Sequence, residues 1–201
     1  NFIEDYEISF MIVFIVLVTL LILYIVYENH TRNKELLKYA QTDALTGLYN
    51  KETTEQLTDE LLSEDENKYH AFLILDVDCF KQINDIYGHA VGDIVLQKFG
   101  KLLKGTFREG DILGRIGGDE FGVIMKNIQT KDIAMKKAEE LLAKTQAYKI
   151  DELKGNNISI SIGISTAPQD GDCYMDLYKR ADQALYQAKR SGKARVCNYF
   201  S

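Results

Sequence analysis

The chain has 201 residues and is 46% hydrophobic, enough for one core of ordinary domain size plus an appendage. Its net charge of −6 argues against a nucleic-acid coat, because an acidic surface gains no counterion-release energy from a duplex. Cys79, Cys173 and Cys197 are odd in number and show no C-x-x-C spacing, which excludes a disulfide framework or zinc ribbon and fits a reducing compartment.

Residues 1–7 read as the end of a missing N-terminal part: the first residue is Asn, not Met, as expected for the tail of a longer receptor. Residues 8–27 then carry no charge over twenty positions, about 30 Å as a helix, which matches the hydrocarbon thickness of a bilayer. This predicts one transmembrane helix. A secretory signal peptide competes with that reading, but Glu4, Asp5 and Glu7 stand where its basic start belongs and no small-residue cleavage site is present beyond the run. His30, Arg32, Lys34 and Lys38 lie just past it, so the positive-inside bias predicts a single-pass protein of the cell membrane with everything after Tyr27 in the cytoplasm. Residues 28–42 form a polar stretch with Leu36, Leu37 and Ala40 on one side, readable as a dimerising helical stalk or as a plain connector.

From residue 43 to 201 the pattern is that of one domain. Asp43 can cap a helical turn just after it, and Thr46-Gly47 marks a turn at the boundary. Lys51 to Ser63 reads as an amphipathic helix and residues 64–68 as a charged loop. Ala71-Phe72-Leu73-Ile74-Leu75 is a strand buried on both faces, and it ends in Asp76-Val77-Asp78. Buried carboxylates need cations nearby, and Mg²⁺ is a hard ion that accepts one or two carboxylates and takes the rest of its ligands from waters and substrate phosphates. Asp78 can equally serve as N-cap of the helix predicted over Phe80 to Tyr87. A longer helix is predicted over Asp93 to Thr106, with Gly88 and Gly92 breaking the chain between the two.

Arg115-Ile116-Gly117-Gly118-Asp119-Glu120-Phe121 reads as a hairpin, its glycines supplying the positive φ of a two-residue turn and letting phosphates approach the backbone. Asp119 and Glu120 cannot both lie on one face of a strand unless the turn twists one of them round; a solvated acidic turn is the plain alternative. Thr130 to Tyr148 is a long amphipathic helix, and Asn157 to Ser165 alternates isoleucines with small residues in the period of a half-covered strand. Tyr174 to Ser191 is again helical and runs into Lys189-Arg190-Ser191-Gly192-Lys193-Ala194-Arg195, four basic residues within seven, suited to helix-dipole compensation or to a triphosphate. These elements predict an α+β fold, a mostly antiparallel central sheet wrapped by helices, preceded by the one transmembrane helix.

Gly117-Gly118-Asp119-Glu120-Phe121 matches letter for letter the signature that names the GGDEF family of diguanylate cyclases. Asp43-Ala44-Leu45-Thr46-Gly47-Leu48, Asp76 through Asp85, Tyr87 through Asp93, and Ala184 through Lys189 resemble further family motifs in the family's order, from about Asp43 to Val196. The resemblance implies a palm-like domain that condenses two GTP into cyclic di-GMP and two pyrophosphates, as a homodimer with Mg²⁺ or Mn²⁺. It implies Asp76, Val77, Asp119 and Glu120 at the metal, with Asp119 and Glu120 catalytic. It implies Asn84 and Asp93 on guanine, and Phe80, Lys81, Gly117, Gly118, Lys189 and Lys193 as further substrate-binding positions. Arg108 and Asp111 resemble an R-x-x-D site for inhibition by the product, with Arg115 assisting. Lys193 stands where many members have arginine, keeping the charge without the planar fork, and Arg195 is a possible substitute. A cyclic di-GMP or GTP binding module and a structural dimerisation module are the other classes the residues allow.

Overall fold

The structure, a computed structural model, describes residues 11, 15–29, 41–64 and 68–199. The chain divides into two compact units between Ala40 and Gln41. In the first unit, residues 15–29 form helix α1, with Leu17, Leu21, Leu23 and Val26 all exposed. The described stretch has fifteen residues, about 22 Å of rise. Among the described residues no helix is long and apolar enough to cross a membrane, so the spanning helix expected over 8–27 is not met there. Residues 1–7, 8–10 and 12–14, and residues 30–40 of the expected stalk, lie outside the described residues.

The second unit is built in the order α2 (Lys51–Glu64), β1 (His70–Val77), α3 (Phe80–Tyr87), α4 (His89–Thr106), β2 (Ile112–Arg115), β3 (Glu120–Met125), α5 (Lys131–Ala147), a 3₁₀ turn (Asp151–Leu153), β4 (Ile160–Ala167), α6 (Tyr174–Arg190) and β5 (Val196–Asn198). The five strands lie in the order β2-β3-β1-β4-β5. Three pairings are antiparallel, but β4 and β5 run parallel. The sheet is therefore mixed, where the sequence pattern predicted a mostly antiparallel one. A parallel pair needs a crossover, and α6 supplies it. The three residues of β5 are too few to announce a strand by periodicity.

Alternation along β1 sends Ala71, Leu73, Leu75 and Val77 to one face, where they pack with Val95, Phe99 and Leu103 of α4 and Ala138 and Leu141 of α5. Phe99 meets Phe121 of β3 edge to face at 4.9 Å. Phe72 and Ile74 point the other way, against Leu61 of α2 and Tyr174, Leu177, Ala181 and Leu185 of α6. Helices thus cover both faces of the sheet, and the even positions of β1 lead toward Asp76 on the α6 side.

The alternation in β4 implied one open face, yet all eight residues are buried. Ile160, Ile162 and Ile164 enter the α4–α5 core, while the small residues let α6 approach closely. A Cβ on Gly163 would strike the backbone of Ala181 and Leu185, and Ser165 Oγ donates to the Leu177 carbonyl at 2.8 Å. Small side chains here mark a tight helix–sheet contact. Gly163→Ala should therefore cost about 3 kcal/mol of stability in urea unfolding, as overpacking against backbone does; a loss below about 0.5 kcal/mol would contradict this packing.

Candidate active site

The acids converge at one end of the sheet because the register pairs Asp76 of β1 with Glu120 of β3. The Val77 amide donates to the Asp119 carbonyl at 3.2 Å, tying the tip of the β2–β3 hairpin to the end of β1. Asp76 is buried, and Lys189 of α6 donates to its Oδ2 at 2.6 Å. Burial pushes the Asp76 carboxyl above its usual range, Lys189 pulls it down, and the charges of Asp119 and Glu120 push it up again. Both hairpin acids therefore act on Asp76, the turn carrying the one that strand alternation alone would turn away. Val77 itself is fully buried, so only its backbone belongs to this edge.

The hairpin differs from the two-residue turn expected. Residues 116–119 connect β2 to β3, and neither Gly117 nor Gly118 has a positive φ. Space is the reason for glycine at the first position: a Cβ on Gly117 would lie 2.9 Å from Glu120 Oε2. Nothing lies within 4 Å of a Cβ on Gly118, which leaves that backbone open to a ligand.

Asp78, expected as a possible helix cap, caps nothing. It is buried and accepts from Ser159 Oγ at 2.8 Å, Ser161 Oγ at 2.7 Å and the Ala194 amide at 3.1 Å. It holds the basic loop after α6, where Lys193 and Ala194 both have positive φ. Lys193 Nζ donates to Cys79 Sγ at 3.1 Å, and Arg195 Nε donates to the Lys193 carbonyl at 3.1 Å. The thiol contact, above all, holds the Lys193 ammonium above its ordinary pKa.

Across from this loop, α3 and α4 meet at Gly92, where a Cβ would strike Asn84 Oδ1 and Phe80. Asn84 Oδ1 is buried without a hydrogen-bond partner, while Asp93 and Lys81 are exposed. A buried acceptor left open beside an exposed carboxylate suits a ligand edge that presents adjacent N–H donors.

With this geometry in hand, the family model described as "Diguanylate cyclase, GGDEF domain" matches residues 40–195. The chain belongs to the GGDEF family. Diguanylate cyclase A of Treponema denticola is 37% identical over 170 residues, covering 82% of this chain and 46% of that protein. Response regulator PleD of Caulobacter vibrioides is also 37% identical, over 85% of this chain and 39% of its own length. The chain thus spans half or less of these two curated relatives. Among solved structures, the coiled coil and GGDEF domain of DgcB from Caulobacter crescentus in complex with c-di-GMP superposes with a TM-score of 0.79 at 26% identity, covering 86% of this chain and 93% of that one. The GGDEF domain of PA1120 from Pseudomonas aeruginosa gives 0.75 at 33% identity over 79% of this chain and 94% of its own.

Three carboxylates at one GGDEF sheet edge are a hard-oxygen donor set of the kind that Mg²⁺ accepts, and the upward pressure on Asp76 is what a cation would relieve. Their oxygens are not drawn together as a preformed cage. Among the described residues only Asp172, Cys173 and Asp176 bring three potential ligand atoms within 4.8 Å of one another.

The R-x-x-D residues are in place but occupied with each other. Arg108 Nη2 donates to Asp111 Oδ1 at 3.2 Å and to the Lys126 carbonyl at 2.6 Å. The Asp111 side chain is buried and also accepts from the amides of Arg108 and Lys126, so it closes the loop before β2 onto the end of β3. Arg115, expected to assist them, points elsewhere. Its Nε and Nη2 donate to the Gly118 carbonyl at 3.2 and 2.7 Å, and Nη1 donates to both Asp43 oxygens at 3.2 and 3.1 Å. Asp43 also caps the turn that follows it, as expected, accepting from the Thr46 amide and hydroxyl at 2.9 and 2.7 Å. The first turn of the domain is thereby clamped to the GGDEF hairpin, a contact across 72 positions that no local pattern could disclose.

Burial by itself would raise Asp43, but the bonds from Thr46 and Arg115 outweigh it and hold the carboxyl below its usual value of 3.8. A lowered folded pKa adds stability that is present above the unfolded value and lost as pH falls through the folded one. Asp43→Asn should therefore cost about 2 kcal/mol at pH 7, with the gap from wild type shrinking as pH drops below about 3.8. Urea unfolding at pH 7 and pH 3 measures it, and a gap that widens in acid would refute the clamp.

Proposed function

We propose that this chain is a diguanylate cyclase that joins two GTP into cyclic di-GMP with release of two pyrophosphates. The observation that carries the reading is the gathering of Asp76, Asp119 and Glu120 at one sheet edge with Lys189 bonded to Asp76. In this reading those acids hold Mg²⁺ or Mn²⁺, which when bound neutralises the phosphates and lowers the pKa of the attacking 3′-hydroxyl. Asp119 is the group that takes the hydroxyl proton. Lys189 and Lys193 balance charge on the leaving pyrophosphate, and the open backbone at Gly118 lies against the phosphates beside Gly117. Guanine satisfies the buried acceptor of Asn84 with one ring-edge N–H and gives another to Asp93, a pair that adenine does not offer. Phe80 and Lys81 flank the same nucleotide.

One domain holds one nucleotide, so the reaction requires two chains facing each other across a two-fold axis, each presenting its GTP to the other's. Arg108 and Asp111 form the inhibitory site for cyclic di-GMP once their mutual pair opens. Support for product binding comes from relatives such as DgcB, solved in complex with c-di-GMP. The uncharged run 8–27, part of which is the exposed apolar α1, supports a single-pass membrane anchor with the catalytic domain on the cytoplasmic side. An upstream sensor would then act by aligning the two domains.

The test is the full chain with GTP and Mg²⁺, with both products measured. Wild type should make cyclic di-GMP and pyrophosphate in a 1:2 ratio, and Asp119→Ala or Glu120→Gln should lower turnover by at least about a hundredfold. Turnover retained in those variants would overturn the roles assigned. GTP binding without product would leave a binding module, and no thermal protection by GTP a structural one. As for the anchor, wild type should stay in the membrane fraction through an alkaline wash and a Leu17→Lys, Leu21→Lys variant should leave it; wild type in the supernatant would refute the anchor.

A further inference from the structure

Helix α3 carries Asn84 and Phe80 yet buries none of its eight residues. Ile86 is 72% exposed, and Phe80, Ile83 and Tyr87 reach the core only as half-buried side chains. Beside the helix lies an open pocket of about 300 Å³, lined by Ile83 and Ile86 of α3 and by Leu153 and Ile158. Packing holds α3 against α4 at Gly92 and half-buries Phe80, Ile83 and Tyr87, but leaves open the side that faces the turn over 151–156. Among the described residues, one side-chain group on α3 makes a hydrogen bond to another part of the fold: the Tyr87 hydroxyl accepts from Asn156 Nδ2 at 2.7 Å and donates to the Leu153 carbonyl at 3.4 Å. Lys98 of α4 reaches the same turn, donating to Glu152 at 2.7 Å. The turn itself is firm, because Ile150 and Leu153 are buried in the core.

Both helices that carry the base-reading residues are thus pinned at one place. We propose that Tyr87 and Asn156, with the turn over 151–156, are positioning residues for guanine: their hydrogen bond crosses the open pocket and braces the α3–α4 corner whose helices carry Asn84 and Asp93. This inference rests on the GTP reading given under Proposed function. None of these side chains touches the nucleotide in it; they act through Asn84. With the tether cut, the α3–α4 corner around Gly88 can swing over the open pocket, away from the turn. Swinging would misalign the amide with the ring edge while leaving the carboxylates in place.

Tyr87→Phe keeps the ring and removes only the tether, and Asn156→Ala removes its partner. In the full chain each should raise KM for GTP about fivefold, the worth of one hydrogen bond, with kcat held within about twofold. Combined, they should do no more than Tyr87→Phe alone, which already removes the bond from Asn156 along with the longer one to the Leu153 carbonyl. Hydrogen exchange supplies a readout independent of turnover: amides of residues 80–88 should exchange about fivefold faster while the strands keep their protection. Unchanged KM and unchanged exchange in an active enzyme would overturn the tether alone. A fall in kcat at constant KM, or faster exchange across the whole domain, would assign Tyr87 to general stability and overturn it too. If calorimetry showed that wild type binds no GTP, the cyclase reading would fall, and this inference with it.

Discussion

A carboxylate buried at the end of a strand that has helices on both faces sets the terms for the rest of this domain. Asp76 could be retired into the core only with compensation, and two further acids brought against it raise the cost. Lys189 provides one compensation from across the sheet, at 2.6 Å. The nearby basic loop provides more, and its shape depends on Asp78 rather than on its own residues. Two carboxylates two positions apart thus divide the labour. Asp76 pairs through one oxygen with Lys189, while Asp78 commits its hydrogen-bonding capacity to Ser159, Ser161 and the Ala194 amide.

That arrangement requires α6 to lie close to the sheet, and the small residues of β4 allow it. With a larger side chain at Gly163 the helix would stand further out, and Lys189 would lose its reach to Asp76. Packing and chemistry are therefore one problem here. The same holds at the hairpin, where Gly117 gives Glu120 the room to turn toward Asp76, and Arg115 holds the Gly118 carbonyl from behind while gripping Asp43. The acid cluster is set by the register of β1 against β3 and steadied by a residue at the very start of the domain.

Much of this is legible in the sequence. The helix over Phe80 to Tyr87 falls where the pattern puts it, those over 51–64 and 174–190 differ by a residue at one end and 131–147 by one at each end, while α4 starts four residues before Asp93 and takes Gly92, expected as a break, inside it. Their amphipathic period is a local property. The strand ending in Asp-x-Asp and the Gly-Gly-Asp-Glu hairpin are readable because a run of apolar residues broken by acids has few structural uses. What escapes are relations between distant positions. β5 has three residues and exists because α6 brings it beside β4. The half-covered face expected for β4 is in fact covered, since small residues read as polarity when they are really clearance. Arg115 looks like a neighbour of Arg108 and Asp111 from its place in the chain, yet its guanidinium goes the other way.

From the residues alone came the elements, the acids and bases that matter, and the family they resemble, because those depend on composition and spacing within a few turns of chain. Tertiary structure decided which acid pairs with Lys189 and which becomes a brace, that Gly117 serves by space and not by φ, and that Tyr87 reaches across an open pocket to Asn156. Such outcomes turn on distances of a few ångströms, for Tyr87 and Asn156 between segments 69 positions apart, and local periodicity carries no information about them.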